Sequence, residues 1–221
     1  KGIGNPLYHW SHLELQRFFD WHGALSSKTC DEVWNHVNAK LQDPSFSARG
    51  LIKRSNVDII CTTDDPVDNL EYHEKLAQDK TFDVTVLPAW RPDKATNIEK
   101  DTWCDYIAQL STVSGIAIAS FEDLKKAMSL RMDFFAQHGC KLSDHGLNYV
   151  VYAPAGDDEV EAIFKKRLGM GKLTEDEVAK FKYAFMFYLA REYHTRDWTM
   201  QLHYGCRRDN NLTMFAKLGP D

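Results

Sequence analysis

The apolar positions of this chain switch repeatedly between a three-to-four spacing and short β-branched or alternating runs. The first pattern is that of a helix with one buried stripe and the second that of a strand. Val33, Val37 and Leu41 follow Thr29-x-x-Glu32, a capping-box pattern, and predict a helix over residues 30–42. A shorter helix is predicted from Ser45 to Arg54. Val57-Asp58-Ile59-Ile60-Cys61-Thr62 has the character of a buried strand. Asp68-x-x-Glu71 then predicts a helix start, running to about Asp79, and residues 82–87 predict a second strand. Helices follow over residues 101–112 and 121–138, the latter opened by Ser120 with Asp123 and closed by Gly139. Residues 140–143 form a short third strand with the polar tip Ser143-Asp144-His145-Gly146. Two more helices fill 157–169 and 175–195. The second starts at the capping box Thr174-x-x-Glu177 and buries Val178, Phe181, Phe185 and Leu189. The fourth strand is near 199–203, where Met200, Leu202 and Tyr204 alternate with Gln201 and His203 until Gly205.

Strands separated by helices predict an α/β fold whose four strands lie parallel and adjacent in sequence order, joined by right-handed crossovers. Each strand ends in polar groups: Thr63 and Asp64, Arg91 and Asp93, Asp144 and His145, His203 and Arg207. A single such tip reads as a solvated turn. Four in register describe the active-site face of a (β/α) barrel. No Gly-rich phosphate loop follows the first strand, which argues against a nucleotide-binding doubly wound sheet. His9, His12 and His22 lie in an aromatic-rich stretch, but their spacing is neither His-x-His nor His-Glu-x-x-His. They read as packing residues.

Composition narrows the picture only a little. The 221 residues are 43% hydrophobic and 27% charged, with a net charge of -5, enough for a packed core. No basic stripe points to nucleic acid. No apolar run is long enough to span a bilayer, and the first residues lack the apolar core of a signal peptide. The five cysteines contain no Cys-x-x-Cys pair, so neither a zinc knuckle nor a disulfide framework is indicated. Reduced thiols in a cytoplasm are the simplest account. The first residue is Lys1 and the last is Asp221, which reads as a portion of something longer.

Six stretches carry a resemblance. They are Ile3-Gly4-Asn5-Pro6-Leu7-Tyr8-His9-Trp10, Phe46-Ser47-Ala48-Arg49-Gly50, Thr62-Thr63-Asp64-Asp65-Pro66, Leu87-Pro88-Ala89-Trp90-Arg91-Pro92-Asp93-Lys94, His138-Gly139-Cys140-Lys141-Leu142-Ser143-Asp144-His145, and Gln201-Leu202-His203 with Arg207 to Asn211. In that order the chain resembles the uronate (glucuronate) isomerases of the amidohydrolase superfamily. The resemblance implies a TIM-like (β/α)8 barrel of which this chain holds about strands two to five. On this basis residues 1–54 are a helical insertion region and residues 55–221 the partial barrel. The family's His-x-His on its first strand and the Asp on its last do not occur in this chain. These residues hold a divalent metal, usually zinc, in the family. The chain therefore looks like an internal portion whose main metal ligands lie outside it.

The resemblance implies aldose–ketose isomerisation of hexuronates, D-glucuronate to D-fructuronate and D-galacturonate to D-tagaturonate, by proton transfer through an enediol. Arg91 is the candidate clamp for the C6 carboxylate, since a guanidinium grips a carboxylate with two prongs. The alternative for Arg91 is a surface ion pair with Asp93. Asp144 either serves the substrate hydroxyls and protons or orients His145. His203 stands where the superfamily uses a His near the metal or the substrate oxygen, and is the one residue here in position to reach a metal. Its alternative is a hydrogen-bonded core His. Asp144 and His203 are thus the catalytic candidates, and Arg91, Asp93, His145, Arg207 and Asn210 the substrate-binding ones, with Arg207 and Asn210 also able simply to fix their loop. A sugar acid is the expected partner, and self-association into a homo-oligomer stays open. This chain alone is expected to be inactive. Two other functions compete: a metal-dependent hydrolase of the same superfamily, against which Trp90-Arg91-Pro92-Asp93-Lys94 speaks, and a non-catalytic interaction module, for which four polar strand tips would serve no purpose.

Overall fold

The computed structural model describes residues 4–206 and 208–219. The chain divides into two compact units, Lys1–Ile60 with Asp79–Thr85, and Cys61–Gln78 with Val86–Asp221.

The first unit is helical. Helix α1 (Pro6–Phe19) starts where Asn5 accepts the Leu7 N–H at 2.9 Å and Pro6 occupies the first turn. The Asn-Pro pair is a local start signal, because proline gives up an N–H that the helix end leaves unpaired. Helix α2 (Cys30–Leu41) forms as expected, yet the capping box does not. Thr29 Oγ1 instead donates to the Ala24 carbonyl at 2.7 Å and accepts the Ser26 N–H at 3.0 Å. A 3-10 turn (Pro44–Phe46) leads into α3 (Ala48–Arg54). His12 is structural: Nδ1 lies 2.6 Å from the Tyr8 carbonyl, and Nε2 accepts the Leu25 N–H at 2.9 Å.

Four strands organise the rest: β1 (Ile59–Cys61), β2 (Thr85–Leu87), β3 (Leu142–Leu147) and β4 (Thr199–Tyr204). Strand β1 pairs with β2, and β3 pairs with β4 in parallel. Beyond the strand ends, Asp64 bridges to Trp90 and Trp90 to Ser143, both in parallel. The order among the described residues is therefore β1-β2-β3-β4, all running one way, as the alternation of strands and helices predicts.

Between β1 and β2 lies α4 (Glu71–Gln78). It starts at Glu71, so Asp68 is not its cap, and Asp68 Oδ2 takes the Asp65 N–H at 2.8 Å within the preceding loop. Between β2 and β3 run α5 (Asp93–Thr96), α6 (Trp103–Ser114) and α7 (Phe121–Gln137). Ser120 caps α7 through the Asp123 N–H at 3.1 Å. Between β3 and β4 come α8 (Asp157–Leu168) and α9 (Glu175–Thr195). The Thr174 capping box forms in both directions, at 3.2 and 2.7 Å. Helix α10 (Leu212–Leu218) follows β4, with Asn211 Oδ1 accepting the Met214 N–H at 3.1 Å.

The core lies among these helices and the strands. Leu124, Met128, Met132 and Phe135 of α7 are fully buried with Phe164 of α8 and Phe181, Phe185 and Leu189 of α9. The rings of Phe164, Phe181 and Phe185 stack in succession at 6.3 and 5.6 Å. Each buried aromatic of this size contributes a few kcal/mol, roughly 25 cal/mol per Å² of apolar surface removed from water. Arg196 ties α7 and α9 at their polar edge, reaching Asp133 at 2.6 Å and Glu192 at 2.6 Å.

Candidate active site at the strand tips

Side chains alternate along a strand, so β3 sends Ser143 and His145 one way and Asp144 and Gly146 the other. In the parallel register Asp144 faces Gln201 and Gly146 faces His203. Trp90 is paired with Ser143, so its neighbour Arg91 falls on the side of Asp144.

That side holds a chain of charges. The Arg91 guanidinium donates from Nε to Asp93 Oδ2 at 2.8 Å, and its Nη1 lies 3.3 Å from Asp144 Oδ2. The other oxygen of Asp144 lies 2.7 Å from His203 Nδ1. This last approach lacks hydrogen-bond geometry, so it is an electrostatic contact fixed by distance. The hydrogen bond that Arg91 donates to Asp93, with the charges of Asp93 and Asp144, raises the pKa of Arg91 against the opposing effect of burial. Asp144 is nearly buried, whereas His203 is more than half exposed. The Gln201 amide lies 2.8 Å from His203 Nε2. Arg91, Asp144 and His203, singled out on the sequence from three different segments, thus meet on one face.

The other candidates fare differently. Asp93 spends its carboxylate on protein groups: besides Arg91 it accepts the Gly146 N–H on both oxygens, at 3.2 and 3.1 Å. His145 does not join the group. It leaves β3 on the opposite side, is fully buried, and sets its ring 5.6 Å from that of Tyr193 on α9. The period of two along a strand thus sets it apart from Asp144. Burial pushes its pKa down to about 4, with the charge of Arg91 adding to the effect, so His145 is a neutral imidazole. Among the described residues neither of its nitrogens has a hydrogen-bond partner. Asp64 also serves the fold: Oδ2 lies 2.6 Å from Thr62 Oγ1, 3.8 Å from His73 Nε2, and accepts the Ala89 N–H at 3.2 Å. Arg207 lies outside the described residues. Asn210 is exposed between β4 and α10 and is engaged by neighbouring groups.

Two participants escaped the sequence reading. Gly146 contributes a backbone N–H, which no side-chain motif reveals. Lys94 places its ammonium 3.2 Å from Asp65, joining the tips of β1 and β2, and its place in the Trp90–Lys94 run was the available signal. A cleft of about 640 Å³ borders Gly146, lined by Asn97, Asn148, Tyr149 and Lys182 among others. It shares no charged side chain with the Arg91 group, and the converging charges mark the chemistry better than the volume does.

Among the described residues no three His, Cys, Asp or Glu side chains converge to hold a metal ion. A catalytic zinc site typically takes three protein ligands, and the described residues do not bring three together. No helix among the described residues is long and apolar enough to cross a membrane.

A family model described as glucuronate isomerase matches residues 1–221. The uronate isomerase of Lachnoclostridium phytofermentans is 59% identical over 221 residues, which are 100% of this chain and 47% of that protein. That of Lachnospira eligens is 59% identical over 219 residues, 99% of this chain and 47% of that protein. This chain thus spans about half the length of the curated relatives it matches. Among solved structures, the uronate isomerase of Thermotoga maritima superposes with a TM-score of 0.89 at 35% identity, over 100% of this chain and 48% of that one. The glucuronate isomerase of Caulobacter crescentus also gives 0.89, over 100% of this chain and 46% of that one, and at 24% identity it speaks for the fold alone.

Proposed function

The chain belongs to the glucuronate isomerase family, its parallel strands being part of an amidohydrolase-like TIM barrel, and from that premise we propose that the full-length polypeptide carrying it is an isomerase of hexuronates. The reaction interconverts D-glucuronate with D-fructuronate and D-galacturonate with D-tagaturonate, moving a proton between C2 and C1 through an enediol. It needs a grip on the C6 carboxylate, a group that carries the proton, and a donor to the carbonyl oxygen.

The observation that carries the reading is the convergence of Arg91, Asp144 and His203 within 3.3 Å contacts on one face. Asp93 takes Arg91 Nε and Asp144 lies 3.3 Å from Nη1, which leaves Nη2 and the remaining N–H of Nη1 to meet a ligand carboxylate. Asp144, held between a guanidinium and an imidazole, is placed to accept a sugar hydroxyl proton and return it. His203 is exposed on its outer side and faces the bound sugar. A divalent metal, zinc by resemblance, would polarise the carbonyl in the whole protein. Among the described residues His203 is the one placed to reach such an ion. The Trp90–Lys94 run and the family match favour isomerisation over hydrolysis.

The test is ketose formation from D-glucuronate by the purified full-length polypeptide with added divalent metal, beside residues 1–221 alone. Turnover by the first and none by the second is expected. No turnover by the metal-loaded full-length protein on either uronate would overturn the reading.

A further inference from the structure

Gly146 is the last residue but one of β3 and has no positive φ, so nothing in its backbone conformation asks for glycine. Its surroundings do. A Cβ built on Gly146 would stand 2.8 Å from Arg91 Nη2 and 3.0 Å from Asp93 Oδ2. The first is closer than real Cβ atoms are found and the second is tight, so a side chain here would force the Arg91 and Asp93 heads to shift, and the pair lies directly against the bare backbone of β3. The same residue donates its N–H to both oxygens of Asp93, at 3.2 and 3.1 Å, while Asp93 Oδ2 receives Arg91 Nε at 2.8 Å. Asp93 is itself anchored as the first residue of α5. The guanidinium is therefore located from two sides, by a carboxylate along its Nε edge and by the missing side chain beneath Nη2.

We propose that Gly146 and Asp93 are positioning residues for Arg91: Gly146 provides the space and the N–H, and Asp93 the fixed acceptor, that aim the two Nη groups at the carboxylate of a sugar acid. The inference rests on the carboxylate-clamp role of Arg91 in the proposed function. It assigns Asp93 to holding the clamp, where the sequence suggested contact with substrate. A planar donor pair gains affinity only if its orientation is set before the ligand arrives.

The experiment is a double-mutant cycle on the full-length polypeptide with D-glucuronate. Gly146→Ala should raise KM about tenfold, the factor carried by roughly one charge-assisted hydrogen bond, with kcat within about threefold. In an Arg91→Lys background there is no Nη2 for the new methyl to meet, and the same substitution should change KM less than about twofold. Equal factors in the two backgrounds would show that Gly146 acts through the general packing of β3 and would overturn the proposal. If Gly146→Ala fails to fold, Asp93→Asn decides. Asparagine keeps one acceptor oxygen but loses the carboxylate's charge and its second acceptor, which weakens its hold on Arg91. It should raise KM in the parent and much less in the Arg91→Lys background, and equal effects again overturn the proposal. Loss of the wild-type activity itself is a separate outcome that removes the clamp reading, and this inference with it.

Discussion

Asp144 and His145 are neighbours in the chain and opposites in environment. Asp144 faces the strand tips, where Arg91 at 3.3 Å and His203 at 2.7 Å surround it with partners that carry or can carry positive charge. His145 faces the helices, where Tyr193 and an apolar core hold it neutral. One face of β3 keeps its charges by pairing them, and the other keeps its polar groups by leaving them uncharged. Desolvation explains the split: a charge in the helix-facing layer would cost several kcal/mol, whereas at the open tips it is offset by its partners. The helix-facing side should accordingly govern stability and the tip-facing side should govern binding.

The largest expected effect is on the helix-facing side. Phe181→Ala removes a fully buried ring stacked between Phe164 and Phe185. It should cost about 3–5 kcal/mol in urea unfolding of the full-length protein, with the KM of the folded fraction unchanged. A shifted KM would show that the two faces are not independent.

Next in size is a pH effect. His145 has a pKa of about 4 in the folded chain against 6.5 for an ordinary His. Between these values the unfolded chain binds a proton that the folded chain does not, so stability falls as pH drops from 6.5 toward 4. The loss should total roughly 3 kcal/mol, and none of it should appear above the upper value. Unfolding curves of wild type and His145→Gln across that range should converge at low pH, and parallel curves would count against a neutral buried imidazole. The smallest effect is at the start of α9, the helix that covers His145. Thr174→Ala breaks the capping box and should cost about 1 kcal/mol in the same assay without touching KM.

The sequence showed more of the frame than of the site. Helix α9 was legible to its ends, because the Thr174 capping box and the Phe181, Phe185, Leu189 stripe agree with one another. Helix α1 went unread despite Asn5-Pro6, since its aromatic and His residues do not fall into one buried stripe and Leu15 alone is buried. Thr29 and Asp68 fit cap patterns, but their side chains found loop partners that the pattern cannot see. At the site, residue type identified Arg91, Asp144 and His203. It could not separate Asp144 from His145, because a motif gives both while a strand turns them apart. Nor could it find Gly146, whose contribution is an N–H and an empty volume.

The central claim is that the tip-facing side of β3 reads a carboxylate through Arg91. Its most direct test is a calorimetric titration of the full-length protein and of Arg91→Ala with D-glucuronate and with D-glucose, its neutral counterpart. The account predicts that Arg91→Ala weakens D-glucuronate binding by about 100-fold, as expected for a lost two-pronged pair of roughly 2–3 kcal/mol. It predicts no change in the weak response to D-glucose and a melting temperature within about 2 °C of wild type. Equal weakening for both sugars, or no weakening for D-glucuronate, would contradict it.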